Sequence, residues 1–471
     1  LVAGCASGEG PSSGAGAVSD VVSEDGAPTV VLITVDSWRA DRLGIYGGKA
    51  PTSPWLDELG RSALVFDEAI APAPWTWPSL VSVLTGLSPR SHGAVSTQQG
   101  LCAEAVTLPE VFSEQGWRTA FVGINPYLVA DNGLRQGFDR WWAEGMGSDQ
   151  RVVEEGGRLL REAGAVPLFL HLHFVGPQSP YEPSEASMAA IAGGGDSWPR
   201  VRTWSQHGEL PAWVDTHCVA RSDGRPSWAL RGMQRAYDAE LMDLDRRLGR
   251  VEDLLRSTNR WDKAWVVVAG DHGEEFCDHG MVGHGDSTHA ENTRVPLVIR
   301  PPLATGTRPR RIAEAVSLVD LSPTLATAVL GSPHPSWDGR DLGPLMRGEP
   351  GGGSRPVVSE TTLLDGAQSL VGPEGRLVLD CCPTGSAAGA GVAAPSLRLY
   401  ELSDPAQSTD LLAPGEDVVP SREVMSRAAR LFEQLDAELE RQSARKVCEG
   451  EVIGLSEEQR QQLRSQGFVT D

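Results

Sequence analysis

Three short stretches carry side chains suited to ester chemistry. Asp36 follows the apolar, β-branched run Val30-Val31-Leu32-Ile33-Thr34-Val35, and Asp271-His272 follow Trp265-Val266-Val267-Val268-Ala269-Gly270. Such runs read as strands buried on both faces, and ligands gather beyond the carboxyl ends of strands of this kind. Two carboxylates and an imidazole arriving from separate strand ends suit one divalent cation. Taken singly, an Asp after a strand is equally at home in a turn, and Asp-His-Gly equally at home capping a helix. The third stretch runs from Ala73 to Gly86 (APAPWTWPSLVSVLTG in its setting). Pro78 near the start and Gly86 at the end mark a helix, with Thr76 at or just before its N-terminus. Unpaired N–H groups and the helix dipole favour negative charge there. A hydroxyl in that place that also touches a cation has a lowered pKa and becomes a nucleophile. Thr76 would serve there as an ordinary N-cap as well.

The elements that must position these groups are legible from periodicity. Leu168 to Val175 is another apolar run, and helical segments alternate with the strands. The clearest helix spans about Trp228 to Leu255, with Tyr237, Leu241, Leu244, Leu248, Val251 and Leu255 forming one core-facing stripe. Strands separated by helices imply an α/β fold, a mostly parallel sheet covered on both faces. His171 and His173 share one face of their strand and read as packed structural histidines. The chain has 471 residues, 40% of them hydrophobic, and a net charge of −22. That acidity, without a basic stripe, argues against a nucleic-acid partner. No apolar run is long enough to span a bilayer.

The chain divides into four parts. Residues 1–27 hold a small-residue site and a Gly/Ser-rich tether, 28–347 the main α/β domain, 348–445 a smaller C-terminal subdomain, and 446–471 a tail. Leu1-Val2-Ala3-Gly4-Cys5 is similar to a bacterial lipobox, which implies a lipid on Cys5, a membrane anchor and a place in the cell envelope. The remaining six cysteines permit up to three disulfides in an oxidising compartment. Adjacent Cys381 and Cys382 are poor partners for each other, and Cys277 reads as structural. Oligomeric state is not legible.

The strings VVLITVDSWRADRLGIYG, APWTWPSLVSVLTGLSPRSHG, VVVAGDHGEEFCDHGMVGHG, RVPLVIRPP, LVDLSPTLATAVLG and LYELSDPAQSTDLLA stand in the order and spacing of the sulfatase family. That family lies within the alkaline-phosphatase-like superfamily. The resemblance covers about Pro28 to Ala413, and Leu455 to Val469 is similar to the tail of many bacterial members. It implies an alkaline-phosphatase/sulfatase-like fold and one divalent cation (Mn2+, Zn2+ or Ca2+) on Asp36, Asp271, His272 and Thr76. It also puts Thr76 at the nucleophile's position and His284 at the position that touches the leaving anion.

Departures from the family pattern redirect the chemistry. Sulfatases carry a cysteine, converted to formylglycine, in Cys-x-Pro-Ser-Arg. Here the string is Thr76-Trp77-Pro78-Ser79-Leu80, and threonine cannot become formylglycine. Relatives that process phosphoesters use an unmodified threonine. Ser37 stands where a second aspartate is common, and Asp271-His272 replaces Asp-Asn. Gln178 stands where the family has a histidine, and Asn125 lies in the region of the family's lysine–histidine pair. Gln178 and Asn125 are then expected to bind an anionic oxygen, and His279 to protonate a leaving group. The leading expectation is a metal-dependent hydrolase or transferase of small phosphate or phosphonate esters acting through Thr76. A sulfuric-ester hydrolase without formylglycine is the second reading, and an envelope binding protein that has lost turnover the third.

Overall fold

The computed structural model describes residues 27–192, 217–218, 226–349, 355–361, 366–380, 396–413 and 419–452. The expected lipid site at Cys5, the tether, Cys381, Cys382 and most of the tail lie outside the described residues.

The apolar runs form the centre of a nine-stranded sheet. Its strands are β1 (Thr29–Val35), β2 (Leu64–Ile70), β3 (Arg118–Ile124), β4 (Arg140–Glu144), β5 (Leu168–Phe174), β6 (Ala264–Gly270), β7 (Arg294–Arg300), β8 (Arg310–Ile312) and β9 (Val316–Ser317). Their order is β8-β2-β7-β6-β1-β5-β3-β4, with β9 also on β2. The sheet is mostly parallel; β7 runs antiparallel to both β2 and β6. β1, β5 and β6 bury nearly every side chain, as strands sandwiched between helical layers must.

Register fixes the site. Val35 pairs with Phe174 on one side and Gly270 on the other, so three adjacent strands end level. Asp36, Val175 and Asp271 therefore leave the sheet at one edge. The same register sets Thr34 beside His173.

Helix α1 (Thr76–Thr85) is buried at every position, and Gly86 closes it in the left-handed region at φ 61°. A Cβ on Gly86 would stand 2.9 Å from the Trp337 ring, so both conformation and space call for glycine. α2 (Asp149–Glu162) and the long α3 (Trp228–Ser257) cover the opposite face, where the Tyr237-to-Leu255 stripe joins the core. α4 (Leu321–Leu330) packs with α1 on the first face.

A smaller subdomain follows: an antiparallel sheet of β10 (Val357–Glu360), β11 (Gln368–Gly372), β12 (Gly375–Asp380) and β13 (Ser396–Tyr400), covered by α5 (Arg422–Ala444). Leu370, Leu377 and Leu399 meet Leu431 and Leu435 of α5 in its own core. After α5 the chain returns to the main domain. Glu451–Val452 pair with Gln99–Gly100, and Cys448 is bonded to Cys102. A second disulfide joins Cys218 to Cys277, which gives Cys277 the structural role expected of it.

Candidate active site

Asp36 is the hub. It is fully buried, and its Oδ1 lies 2.9 Å from His272 Nε2. Oδ2 accepts from Asn125 Nδ2 at 2.9 Å and from the Thr76 hydroxyl at 3.3 Å. The Thr76 oxygen also stands 3.2 Å from His272 Nε2. Thr76 opens α1, and no side chain caps that helix, which leaves its first amides without an intrahelical partner. Asp271 follows β6 and holds the amide of His272 through Oδ1 at 2.7 Å. Its Oδ2 is buried without a hydrogen-bond partner. Ser79 of α1 donates to the Asp271 carbonyl at 2.6 Å, tying helix to strand end.

The electrostatics of this cluster suit a cation. Burial works against a charged Asp36, and only the bond and charge of a protonated His272, with His284 and His173, would hold it at about 2; with the His272 ring neutral, the buried carboxylate needs another countercharge. Burial, with the Asp36 charge beside it, pushes Asp271 well above the carboxylate range. Two carboxylates so placed cannot both ionise without a countercharge. His272 Nδ1 lies 2.9 Å from the Gly273 carbonyl. That bond puts the ring proton on Nδ1 and aims the Nε2 lone pair at Asp36. A lone pair facing a carboxylate at 2.9 Å, and the orphaned Asp271 oxygen, are both satisfied by a divalent cation between them. Asp36, Asp271, His272 and Thr76 thus bring together donors of a type that a cation would take.

The structure alters three other expectations. Asn125 spends its amide nitrogen on Asp36, while its Oδ1 accepts from the Tyr127 amide, so it orients the carboxylate. Gln178 reaches the site through Ser37, whose hydroxyl donates to Gln178 Oε1 at 2.6 Å. Ser37 itself sits at φ 55°, and this kink directs its hydroxyl back over Asp36. His279 does not join the cluster. Its Nδ1 lies 2.6 Å from Glu291 and its Nε2 3.2 Å from the Gln407 carbonyl, with the ring stacked on His289. Burial opposes a charge on that ring, but Glu291 and Glu275 outweigh it and raise His279 to about 9. Its two ring nitrogens thus face Glu291 of the main domain and the Gln407 carbonyl of the C-terminal subdomain.

His284 does join. Its Nδ1 lies 2.8 Å from Glu274 and its ring centroid 4.3 Å from that of His272. Burial would lower it, but the Glu274 carboxylate raises it above an ordinary imidazole. Glu274 was not singled out from the sequence, although it lies two residues past His272 in the quoted motif. His173 is the larger surprise: a ring nitrogen of His173 stands with carboxylate oxygens of Asp36 and Asp271 in one group, all within 4.8 Å.

Residues 28–332 match the sequence pattern of the family described as Sulfatase. An arylsulfatase of Clostridium perfringens is 25% identical over 358 residues, 63% of this chain and 74% of that protein. The multifunctional alkaline phosphatase superfamily protein PehA of Trinickia caryophylli is 25% identical over 401 residues, 68% of this chain and 77% of the relative. The crystal structure of a phosphonate monoester hydrolase of Agrobacterium radiobacter superposes with a TM-score of 0.67 at 20% identity, covering 88% of this chain and 96% of that one. The chain carries the alkaline-phosphatase/sulfatase-like fold, and it is an ester-hydrolysing member of the sulfatase family.

Proposed function

We propose that this hydrolase cleaves phosphate or phosphonate esters, with unmodified Thr76 as its nucleophile and one divalent cation on Asp36, Asp271, His272 and Thr76. The observation that carries the reading is the Thr76 hydroxyl at a helix N-terminus, 3.3 Å from Asp36 and 3.2 Å from His272. The bound cation would neutralise the ester's non-bridging oxygens and lower the hydroxyl pKa. Thr76 Oγ, its proton given up to solvent, forms a bond to phosphorus as the bond to the ester oxygen breaks. The amides opening α1 face the anion's remaining oxygens. His284, its pKa raised by the Glu274 carboxylate, meets charge on the leaving oxygen and supplies its proton. Water then cleaves the threonine ester, releasing the acid and restoring the hydroxyl. PehA and the phosphonate hydrolase, by their names, favour phosphorus esters; the arylsulfatase favours sulfate. The two disulfides support the further proposal of an oxidising, cell-envelope location.

Parallel assays with aryl phosphate, phosphodiester, phosphonate and aryl sulfate test the reading. Thr76→Ala is expected to lower phosphorus-ester turnover at least about 10³-fold, the scale of losing a nucleophile. Sulfate turnover that exceeds every phosphorus ester and vanishes in Thr76→Ala would establish the sulfatase reading instead. No turnover of any ester by wild type would leave the binding-protein reading.

A further inference from the structure

We propose that His173 is a ligand of the cation site, making it a centre of two imidazoles, two carboxylates and one hydroxyl that selects Zn2+ over Ca2+. The inference rests on the cation reading above but not on turnover. Three placements carry it. β1 and β5 run in register, so His173 and Thr34 are neighbours and the ring stands over the strand ends that carry Asp36 and Asp271. His173 Nε2 is buried without a hydrogen-bond partner, as is Asp271 Oδ2. A lone-pair nitrogen and a carboxylate oxygen left unmatched at the core of one cluster are what a shared cation satisfies.

The third placement is a relay that sets the ring's tautomer. Thr34 Oγ1 lies 2.9 Å from His173 Nδ1 and 2.8 Å from His171 Nε2. One hydroxyl has one proton, so it donates to one ring and accepts from the other. When His173 gives its Nδ1–H to Thr34 and Thr34 donates to His171, the His173 Nε2 lone pair faces the carboxylates. The reverse arrangement puts N–H on Nε2. Thr34 thus acts as a positioning residue for His173, in the way a metal-bound imidazole is generally held through its other nitrogen.

Ser37, the residue after Asp36, brings no second carboxylate to this strand end. His173 supplies a nitrogen in its stead. Imidazole donors suit Zn2+, while Ca2+ takes six to eight oxygens. The proposal is tested on the full chain, stripped of metal by chelation, by calorimetric titration with Zn2+ and with Ca2+. Wild type is expected to hold one Zn2+ at least about 100-fold more tightly than Ca2+. His173→Phe should weaken Zn2+ about 10- to 100-fold and Ca2+ much less, with an unchanged circular dichroism spectrum. Thr34→Val, which leaves His173 in place but frees its tautomer, should give a smaller loss of the same sign. Pulsed electron paramagnetic resonance of Cu2+-loaded wild type counts coordinated imidazoles without any variant, and two are expected. One imidazole, a Zn2+ affinity unmoved by His173→Phe, or a preference for Ca2+ overturns the inference. Ester turnover with a single coordinated imidazole would do so while leaving the proposed function standing.

Discussion

At the scale of single residues, the site separates groups that must be neutral from one that must be charged. His272 and His173 are desolvated, while His284 shares its burial but has Glu274 at 2.8 Å. Burial lowers an imidazole and a carboxylate raises it; in His284 the carboxylate wins. Removing that charge with Glu274→Gln keeps an acceptor for Nδ1–H but lets the imidazole pKa fall. Because His284 works protonated, activity is lost as pH rises through its pKa. The alkaline limb of kcat/KM in Glu274→Gln is therefore expected to move to lower pH, with kcat/KM at neutral pH down about 10-fold or more. A pH–rate profile superimposable on that of wild type would contradict this role for Glu274.

At the scale of elements, α1 is the part that must not move, since Thr76 is its first residue. His92 supports it from below: its Nε2 lies 3.0 Å from Ser82 of α1, and its Nδ1 accepts the Ala94 amide at 3.1 Å. Burial drives His92 down to about 3, although the Pro78 carbonyl opposes the shift. A group depressed in the folded state stabilises above its unfolded pKa of about 6.5 and loses that contribution as pH falls through the folded value. Acid should thus remove on the order of 5 kcal/mol between about pH 6.5 and 3 through this ring. Urea unfolding followed across that window should show a flatter slope in His92→Gln than in wild type, and equal slopes would refute the assignment. How much of this could be read from the chain depends on range. The runs before Asp36 and Asp271 and the Pro78–Gly86 helix were legible because strand burial and helix capping are written in consecutive residues. Thr34 beside His173 was not, because the pairing depends on the register of strands whose residues lie far apart in sequence. His279 was misplaced for a related reason: nearness to Asp271 in sequence did not reveal that its partners are Glu291 and Gln407.

At the scale of the whole molecule, two disulfides act where the covalent chain gives least control. Cys102–Cys448 closes 346 residues and returns the segment after α5 to the main domain, where Val447 also donates to the Ser91 carbonyl at 2.7 Å. No local pattern could name that pair, since it exists only after both domains have folded and docked. Cys218–Cys277 spans 59 residues and ends in the segment between Asp271 and His284. In the chain-entropy account, cross-links over such lengths constrain the unfolded state by about 4–6 kcal/mol each, the longer loop more. They differ in what they hold. Losing Cys102–Cys448 frees the C-terminal return, which meets α1 through His92 and Gln99 rather than at Thr76 itself, whereas losing Cys218–Cys277 loosens the hairpin of Glu275–Phe276 with Val282–Gly283 that positions Glu274 and His284. Cys102→Ser is therefore expected to lower the unfolding temperature by several degrees with kcat/KM within about 3-fold of wild type at a temperature where both are folded. Cys218→Ser should lower kcat/KM more than Cys102→Ser does, although its loop is shorter. Calorimetric scans paired with kinetics would decide it: if stability and activity fall in the same ratio in both variants, the second disulfide serves the fold alone, and the site loop does not depend on it.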